Sequence, residues 1–237
     1  MLQLKNYCME YIEGKRVIDN LNMTIREGDI YAFVGRNGVG KTTTIKSIVG
    51  INHITEGDIL LDKISIQKDP IKYKKMLAYV PDNPILYEYL TGIQYLDFIA
   101  DIYEMTSKER EEGIEKYAKK FELYDELGNL ISSYSHGMKQ KLVLIAAFMH
   151  EPKLYVLDEP FVGLDPKASF VLKELIREKA KEGRIIFFST HVLDVAEKLC
   201  NRIAIIKDGK LIADGDMERI IKDKTLEQTF MELVVDE

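Results

Sequence analysis

The feature that most constrains this chain is a glycine-rich segment over residues 35–42, with the sequence Gly-Arg-Asn-Gly-Val-Gly-Lys-Thr. It matches the pattern G-x-x-x-x-G-K-[ST], and it lies between an apolar strand predicted over 29–34 and a helix predicted over 43–49. Glycines let the backbone curl so that successive N–H groups point at phosphate oxygens, and the helix N-terminus adds partial positive charge. The segment therefore predicts binding of a nucleoside triphosphate.

The residues of this loop have separate predicted roles. The Lys41 ammonium would reach the β- and γ-phosphates, and the Thr42 hydroxyl would hold Mg²⁺. The other loop residues would surround the phosphates with backbone N–H groups. The predicted nucleotide-binding residues of the loop are Asn37, Gly38, Val39, Gly40, Lys41, Thr42 and Thr43.

Polar side chains follow two later apolar strands, predicted over 153–157 and 184–189. Because ligand sites in parallel sheets lie outside the carboxyl ends of the strands, these side chains are candidates for the same crevice. Asp158 is predicted to bind Mg²⁺, and Glu159 to act as general base toward the water that attacks the γ-phosphate. His191 is predicted to contact the γ-phosphate. An acidic pair at a strand end is often only solvated, but a phosphate loop earlier in the chain favours the catalytic interpretation.

The pattern of strands and helices predicts one α/β domain over residues 1–237. Antiparallel strands are expected in the N-terminal third, around the strand–loop–helix unit. An inserted helical subdomain is expected over about 84–150, with Ser107 as the N-cap of one helix. The continuous apolar strands of the last third alternate with helices, which indicates a mostly parallel sheet. A short hairpin and helix are expected over about 203–237.

A second possible anion-binding feature precedes the Asp158 strand. In the segment 135–141, Ser135 is typical of a helix N-cap, Gly137 permits close approach, and a helix is predicted over 139–150. Only one triphosphate loop occurs in the chain, so this helix start has no ligand within a single copy. Taken alone, the segment is equally typical of an ordinary capped helix.

In the order of these motifs the chain resembles, over essentially its whole length, the ATP-binding subunit of ATP-binding-cassette (ABC) transporters. The resemblance implies a P-loop NTPase (RecA-like) core, ATP and Mg²⁺ as ligands, and ATP hydrolysis. It also implies a head-to-tail pair of chains, in which Ser135 and Gly137 of one copy cap the γ-phosphate held by the other. Asp165, in the loop 163–166, would cross this interface. A separate transmembrane permease would be the second partner.

Three positions are informative about the place of the chain within that family. Tyr11 is expected to stack on adenine, with Tyr7 as a competitor for this role. The family's Leu-Ser-Gly-Gly-Gln reads Tyr-Ser-His-Gly-Met over 134–138, which keeps the serine and the second glycine. The family's glutamine after an apolar strand is Asp82, whose carboxylate is expected to meet Mg²⁺ through water. The last two departures resemble the branch that pairs with separate ABC-2-type permeases, many of them drug, antibiotic or lipid exporters.

The net charge and the hydropathy of the sequence limit which partners and which cellular location are expected. The 33 basic and 39 acidic side chains give a net charge of -6, which disfavours nucleic acid as a partner. No secretory signal is expected, and the longest strongly apolar run, 142–149, is shorter than the ~18 residues typical of a membrane span. The expected location is therefore cytoplasmic, on the inner face of the cell membrane through the permease.

Two other functional classes remain as alternatives. A soluble, non-transport ABC ATPase for assembly or repair would share every motif described so far. A P-loop kinase or GTPase is disfavoured, because no Asn-Lys-x-Asp guanine-reading motif occurs and the segment 135–141 would have no role.

Overall fold

The computed structural model describes residues 1–234 and contains two β-sheets with helices packed around them. The strands are β1 (Leu2–Ile12), β2 (Lys15–Ile25), β3 (Ile30–Val34), β4 (Glu56–Leu61), β5 (Ile64–Ser65), β6 (Leu77–Val80), β7 (Leu154–Asp158), β8 (Ile185–Ser189), β9 (Arg202–Lys207) and β10 (Lys210–Asp216). The helices are α1 (Lys41–Ile48), α2 (Pro70–Lys74), α3 (Gly92–Ile102), α4 (Ser107–Lys120), α5 (His136–Met149), α6 (Pro166–Lys181), α7 (Leu193–Leu199), α8 (Met217–Ile221) and α9 (Leu226–Val234).

The larger sheet has six strands in the order β10-β9-β3-β8-β7-β6. All neighbours are parallel except β10, which pairs antiparallel with β9. Every residue of β3, β7 and β8 is buried, because helices pack on one face of the sheet and α1 with the smaller sheet packs on the other. The predicted α/β class with a mostly parallel sheet is confirmed. The strands β3, β8, β7 and β6 are consecutive neighbours, so their carboxyl ends form one continuous edge.

The smaller sheet is antiparallel, with strand order β2-β1-β4-β5, as expected for the N-terminal part. Its inner face packs with α1 and the larger sheet around a second apolar core. Tyr7 is fully buried in this core and donates a hydrogen bond from its hydroxyl to Ser47 Oγ at 2.7 Å. This core fixes α1, and therefore the loop that precedes it, against both sheets.

Helices α3, α4 and α5 lie between β6 and β7 in the chain. The prediction that Ser107 caps α4 is wrong, because Thr106 is the N-cap. The Thr106 hydroxyl accepts the Glu109 N–H and the Glu109 carboxylate accepts the Thr106 N–H, which closes a capping box. Ser107 has no such partner, since the residue three positions later is Arg110.

The C-terminal segment forms the predicted hairpin, β9–β10, followed by α8 and α9. The end of the predicted segment, 235–237, lies outside the described residues. Across residues 1–234, every helix is too short or too polar to traverse a lipid bilayer.

Candidate functional site

The loops that follow β3, β6, β7 and β8 meet at one edge of the larger sheet and border an open cleft of about 900 Å³. Most of the predicted nucleotide and metal residues lie on its walls. They are Asn37, Gly38, Gly40, Lys41, Thr42, Thr43, Asp82, Asp158, Glu159 and His191. Val39 does not line the cleft, because its side chain packs against the core between the two sheets.

The glycine-rich loop passes directly into α1, whose N-cap is Gly40 at φ +111°. A side chain there would be strained and would also collide with Ile18. No side chain caps α1, so the N–H groups of its first turn are available to an anion. The Lys41 ammonium donates hydrogen bonds to the carbonyl oxygens of Gly35 at 2.6 Å and Arg36 at 2.9 Å. The loop thus fixes the Lys41 ammonium beside the N–H groups at the start of α1, which no side chain caps.

The charges of Asp158 and Lys41 in the cleft are only partly balanced by neighbouring groups of the protein. Burial raises the pKa of the Asp158 carboxyl, opposed by the hydrogen bond from the Ser189 hydroxyl and reinforced by the neighbouring negative charges of Asp82 and Glu159. Burial lowers the pKa of the Lys41 ammonium, opposed by the charges of Glu159 and Asp158. A bound ligand with both anionic oxygens and a cation would relieve both effects.

Glu159 and His191 form the reactive corner of the cleft. The backbone of Glu159 has φ +47°, and its N–H donates to the Ser189 carbonyl oxygen at 3.3 Å. A non-glycine residue in this left-handed region costs of order 1 kcal/mol or more, so the surrounding structure must hold it there. The Glu159 Oε1 atom lies 3.0 Å from His191 Nδ1. The strained turn therefore aims the carboxylate at the imidazole and into the cleft.

The oxygen donors in the cleft fit a magnesium ion. Thr42, Asp82 and Asp158 all line it, and Mg²⁺ prefers hydroxyl, carboxylate, phosphate and water oxygens. Within residues 1–234 no group of three or more His, Cys, Asp or Glu side chains forms a dedicated metal cage. In nucleotide sites Mg²⁺ usually keeps several waters and binds through one or two protein carboxylates together with the substrate phosphates.

The structure distinguishes between the two tyrosines considered for adenine. Tyr7 lies inside the core and cannot reach a ligand. Tyr11 is 59% exposed, and its hydroxyl lies 3.2 Å from Thr43 Oγ1 and accepts a hydrogen bond from Asn52 at 3.0 Å. Tyr11 therefore lies beside the cleft, with its ring free on the surface.

The segment at the start of α5 is not part of this cleft. Ser135 caps the helix by accepting the Met138 N–H at 3.2 Å, as predicted. Gly137 packs against the 161–165 loop, where a Cβ atom on Gly137 would lie 2.9 Å from the Gly163 carbonyl oxygen. Gly163 has φ +77° and touches the His136 ring so closely that a side chain would collide. The start of α5 and the 161–165 loop are therefore one packed unit.

Asp165 belongs to the same unit. Its carboxylate caps α6 by accepting the Ala168 N–H at 2.8 Å, and it pairs with Lys141 of α5 at 2.7 Å. These contacts lower the pKa of Asp165, with the Lys141 hydrogen bond as the largest cause. In one chain, Ser135, Gly137 and Asp165 thus lie together and do not line the nucleotide cleft, although Val162 of the same loop does.

Some residues of the cleft were not assigned a role from the sequence. Ser189 is paired with Asp158 across neighbouring strands and donates its hydroxyl to that carboxylate. Its position at the carboxyl end of an apolar strand was the available signal. Lys46, one turn after Lys41 on α1, and Tyr79 also line the cleft. Burial, with the charges of Asp158 and Asp82, raises the pKa of Tyr79 to about 12, so its phenol stays protonated.

Comparison with known proteins gives one consistent result. A family model described as ABC transporter matches residues 18–162. Similar curated proteins of Bacillus subtilis (strain 168) include the ABC-type transporter ATP-binding protein EcsA, 34% identical over 98% of this chain and 96% of EcsA. Another is the SkfA peptide export ATP-binding protein SkfE, 35% identical over 90% of this chain and 88% of SkfE. A solved ATP-binding subunit of an ABC transporter has a TM-score of 0.95 and 33% identity, covering 98% of this chain and 99% of that one.

Proposed function

The chain belongs to the ABC transporter family as an ATP-binding, ATP-hydrolysing subunit, and from this premise we propose that it works as a head-to-tail pair that drives a separate exporter-type permease. The observation that carries the paired arrangement is the separation of two phosphate-binding features in one chain. The cleft holds the triphosphate loop, whereas the capped start of α5 lies outside it. A second copy, turned end for end, would bring its Ser135 and Gly137 to the γ-phosphate.

Each residue of the cleft has a role in this proposal. The free N–H groups of the glycine-rich loop and the Lys41 ammonium hold the phosphates, and the Tyr11 ring stacks on adenine. Thr42 and Asp158, with Asp82 through water, would hold the Mg²⁺ that accompanies ATP, and this ion would neutralise charge on the phosphate oxygens. The Glu159 carboxylate accepts a proton as water attacks the γ-phosphorus and the bond to ADP breaks. His191 orients this carboxylate and contacts the γ-phosphate.

The surface beside Asp82 is the proposed contact with the permease. Ile85 is 96% exposed, and the rings of Tyr87, Tyr89 and Phe98 form an exposed cluster with centroid distances of 5.9 Å between Tyr87 and each of the other two. Such an apolar patch on a water-facing surface indicates a binding partner. Residues of about 84–150 would move as a helical subdomain within the single domain 1–237. Likeness to SkfE, whose name specifies peptide export, supports an exporter on the inner face of the cell membrane.

A mixing experiment tests the paired site. Lys41→Ala disables the loop of one chain, and Ser135→Asp places a negative charge where the partner's γ-phosphate would bind. Ser135→Asn is the matched control, because Asn and Asp cap a helix equally well but only Asp repels phosphate. We expect Lys41→Ala and Ser135→Asp to be inactive alone and to recover ATP hydrolysis when mixed, since a mixed pair contains one intact site.

Absence of recovery on mixing, with both variants folded, would rule out a site shared between two chains. Full activity of Ser135→Asp alone would exclude Ser135 from the phosphate site. The permease is tested separately by pull-down from detergent-solubilised membranes with a tagged chain. An integral membrane partner of about six spans supports the transporter, whereas soluble partners alone would favour the non-transport ATPase.

A further inference from the structure

A smaller cleft of about 410 Å³ adjoins the nucleotide cleft at the His191 segment. One wall is the glycine-rich loop, another is the segment that follows β8, and the third is Phe230 of α9. The lining residues are Gly35, Arg36, Asn37, Thr190, His191, Leu193 and Phe230. Asn37 and His191 line both clefts, so α9 reaches the back of the nucleotide site from the far end of the chain.

Helix α9 is firmly attached to the element that follows His191. The Leu226 N–H donates to the Glu197 carboxylate of α7 at 2.7 Å, and Leu226 itself is fully buried. Helix α7 begins at Leu193, two residues after His191. Phe230 is half-buried and packs on the main apolar core next to these elements. The helix therefore has a fixed position from which its aromatic ring borders the His191 segment.

His191 has few restraints of its own. Its side chain is 62% exposed, and its contact with Glu159 is the one polar contact found for its ring within residues 1–234. The segment is pinned locally by the Val192 N–H, which donates to Thr190 Oγ1 at 3.0 Å, but α7 has no side-chain cap at Val192. An exposed ring on a lightly capped segment depends on its neighbours for a defined position.

We propose that Phe230 is a positioning residue for ATP hydrolysis, which acts by limiting the excursions of His191 and so keeps the imidazole against Glu159. This inference rests on the proposed function only in assigning His191 a part in hydrolysis. Phe230 lines the smaller cleft and not the nucleotide cleft, where it contributes an apolar wall that faces the glycine-rich loop. Displacement of a catalytic group by about 1 Å can lower a rate by up to ~10²-fold, so a ring at this wall can control turnover without binding ATP.

The test compares Phe230→Ala with Met231→Ala, its neighbour on α9, whose side chain is 52% exposed. We expect Phe230→Ala to lower kcat on the order of 10-fold, with KM for ATP nearly unchanged, and Met231→Ala to leave both unchanged. Phe230→Leu, which keeps an apolar side chain on the wall, should restore most of kcat. In a His191→Ala background, Phe230→Ala should lower kcat no further, because the two residues act through one step.

A second readout needs no hydrolysis. NMR relaxation of the His191 ring protons, assigned by their loss in His191→Gln, should show greater mobility in Phe230→Ala but not in Phe230→Leu or Met231→Ala. Equal His191 mobility in all variants, or an additive effect of Phe230→Ala in the His191→Ala background, would overturn the proposal. If His191→Ala itself leaves hydrolysis unchanged, the proposed role of His191 fails, while the mobility result still decides whether α9 positions it.

Discussion

The nucleotide cleft and the unit formed by the start of α5 and the 161–165 loop satisfy their polar groups in opposite ways. In the cleft, Lys41 rests on carbonyl oxygens and the pKa of Asp158 is raised by burial. In the other unit, Ser135 is paired with a backbone N–H, and Asp165 with both a backbone N–H and Lys141. The Asp158 charge in the cleft is therefore unfavourable until a ligand binds, whereas the polar groups of Ser135 and Asp165 in the second unit already have partners within the chain. Substitutions in the cleft should accordingly act on ATP binding and hydrolysis with little effect on stability, whereas substitutions in the second unit should also lower the stability of the nucleotide-free chain.

The largest expected effect is on turnover. Glu159→Gln removes the general base but keeps the side-chain size, so steady-state ATP hydrolysis should fall roughly 10²–10⁴-fold while ATP binding is retained. The variant should also accumulate an ATP-dependent dimer, measured by light scattering. Glu111→Gln, on the exposed face of α4, is the matched control and should hydrolyse ATP at the normal rate. Normal hydrolysis by Glu159→Gln would remove this residue from the mechanism.

The next effect is on affinity. Lys41→Ala removes a charged donor to the phosphates, a type of hydrogen bond worth about 1.5–3 kcal/mol, so the Kd for ATP should rise on the order of 10- to 100-fold. Isothermal titration calorimetry measures this, with the exposed Lys68→Ala as control. The unfolding midpoint of nucleotide-free Lys41→Ala should stay close to that of the unmodified chain, since this lysine stabilises a ligand rather than the fold. Unchanged affinity would contradict the role of the loop.

Substitutions in the second unit should also change the stability of the nucleotide-free chain. Asp165→Ala removes the N-cap of α6 and the Lys141 partner, and the free energy of unfolding should fall by about 0.5–2 kcal/mol. Asp165→Asn keeps the capping oxygen and should lose much less. Denaturant unfolding of the nucleotide-free chain distinguishes the two variants. Unchanged stability of Asp165→Ala would mean that the contacts of Asp165 do not stabilise the fold, and the second unit would then not differ from the cleft in this respect.

The smallest effect has the opposite sign. Asp158→Asn removes a buried charge but keeps the oxygen that accepts the Ser189 hydroxyl, so the nucleotide-free chain should gain about 0.5–1 kcal/mol in stability. A raised folded-state pKa means that the native state loses its proton less readily than the unfolded chain. The gain should therefore be absent below the ordinary aspartate value of 3.8, grow as the pH rises through the folded pKa, and stay constant above it. Urea unfolding across this pH range measures it, and a loss of stability would show that the Asp158 charge is well compensated.

The sequence was most informative where chemistry and local structure coincide. The glycine-rich loop, the carboxylates at the carboxyl end of β7 and the Ser135 cap each depend on a short stretch of chain, and their local structure matches the prediction. The Ser107 prediction failed because two hydroxyl residues are adjacent and only the reciprocal contact with Glu109 favours Thr106. When two adjacent residues can both cap a helix, the residue type alone does not decide between them. The side chain three positions further along must also be considered.

Other features depend on contacts between distant parts of the chain. The position of β3 between β8 and β9, and the approach of Phe230 to the glycine-rich loop, join segments far apart in the sequence, and no short pattern encodes them. The left-handed backbone conformation of Glu159 could not be predicted from the sequence either, because a residue other than glycine adopts it only when the surrounding structure enforces it.

The shared edge of β3, β8, β7 and β6 has a consequence for substitutions at the site. Neighbouring strands are held about 4.8 Å apart by backbone hydrogen bonds, so the spacing of the site is independent of the side chains displayed there. Replacing a side chain at the end of a strand therefore changes the chemistry of the site without changing the spacing of the strands. Asp82, at the position where the family resemblance leads us to expect a glutamine, would be such a replacement. Single substitutions can therefore alter the charge at this edge without rebuilding the fold.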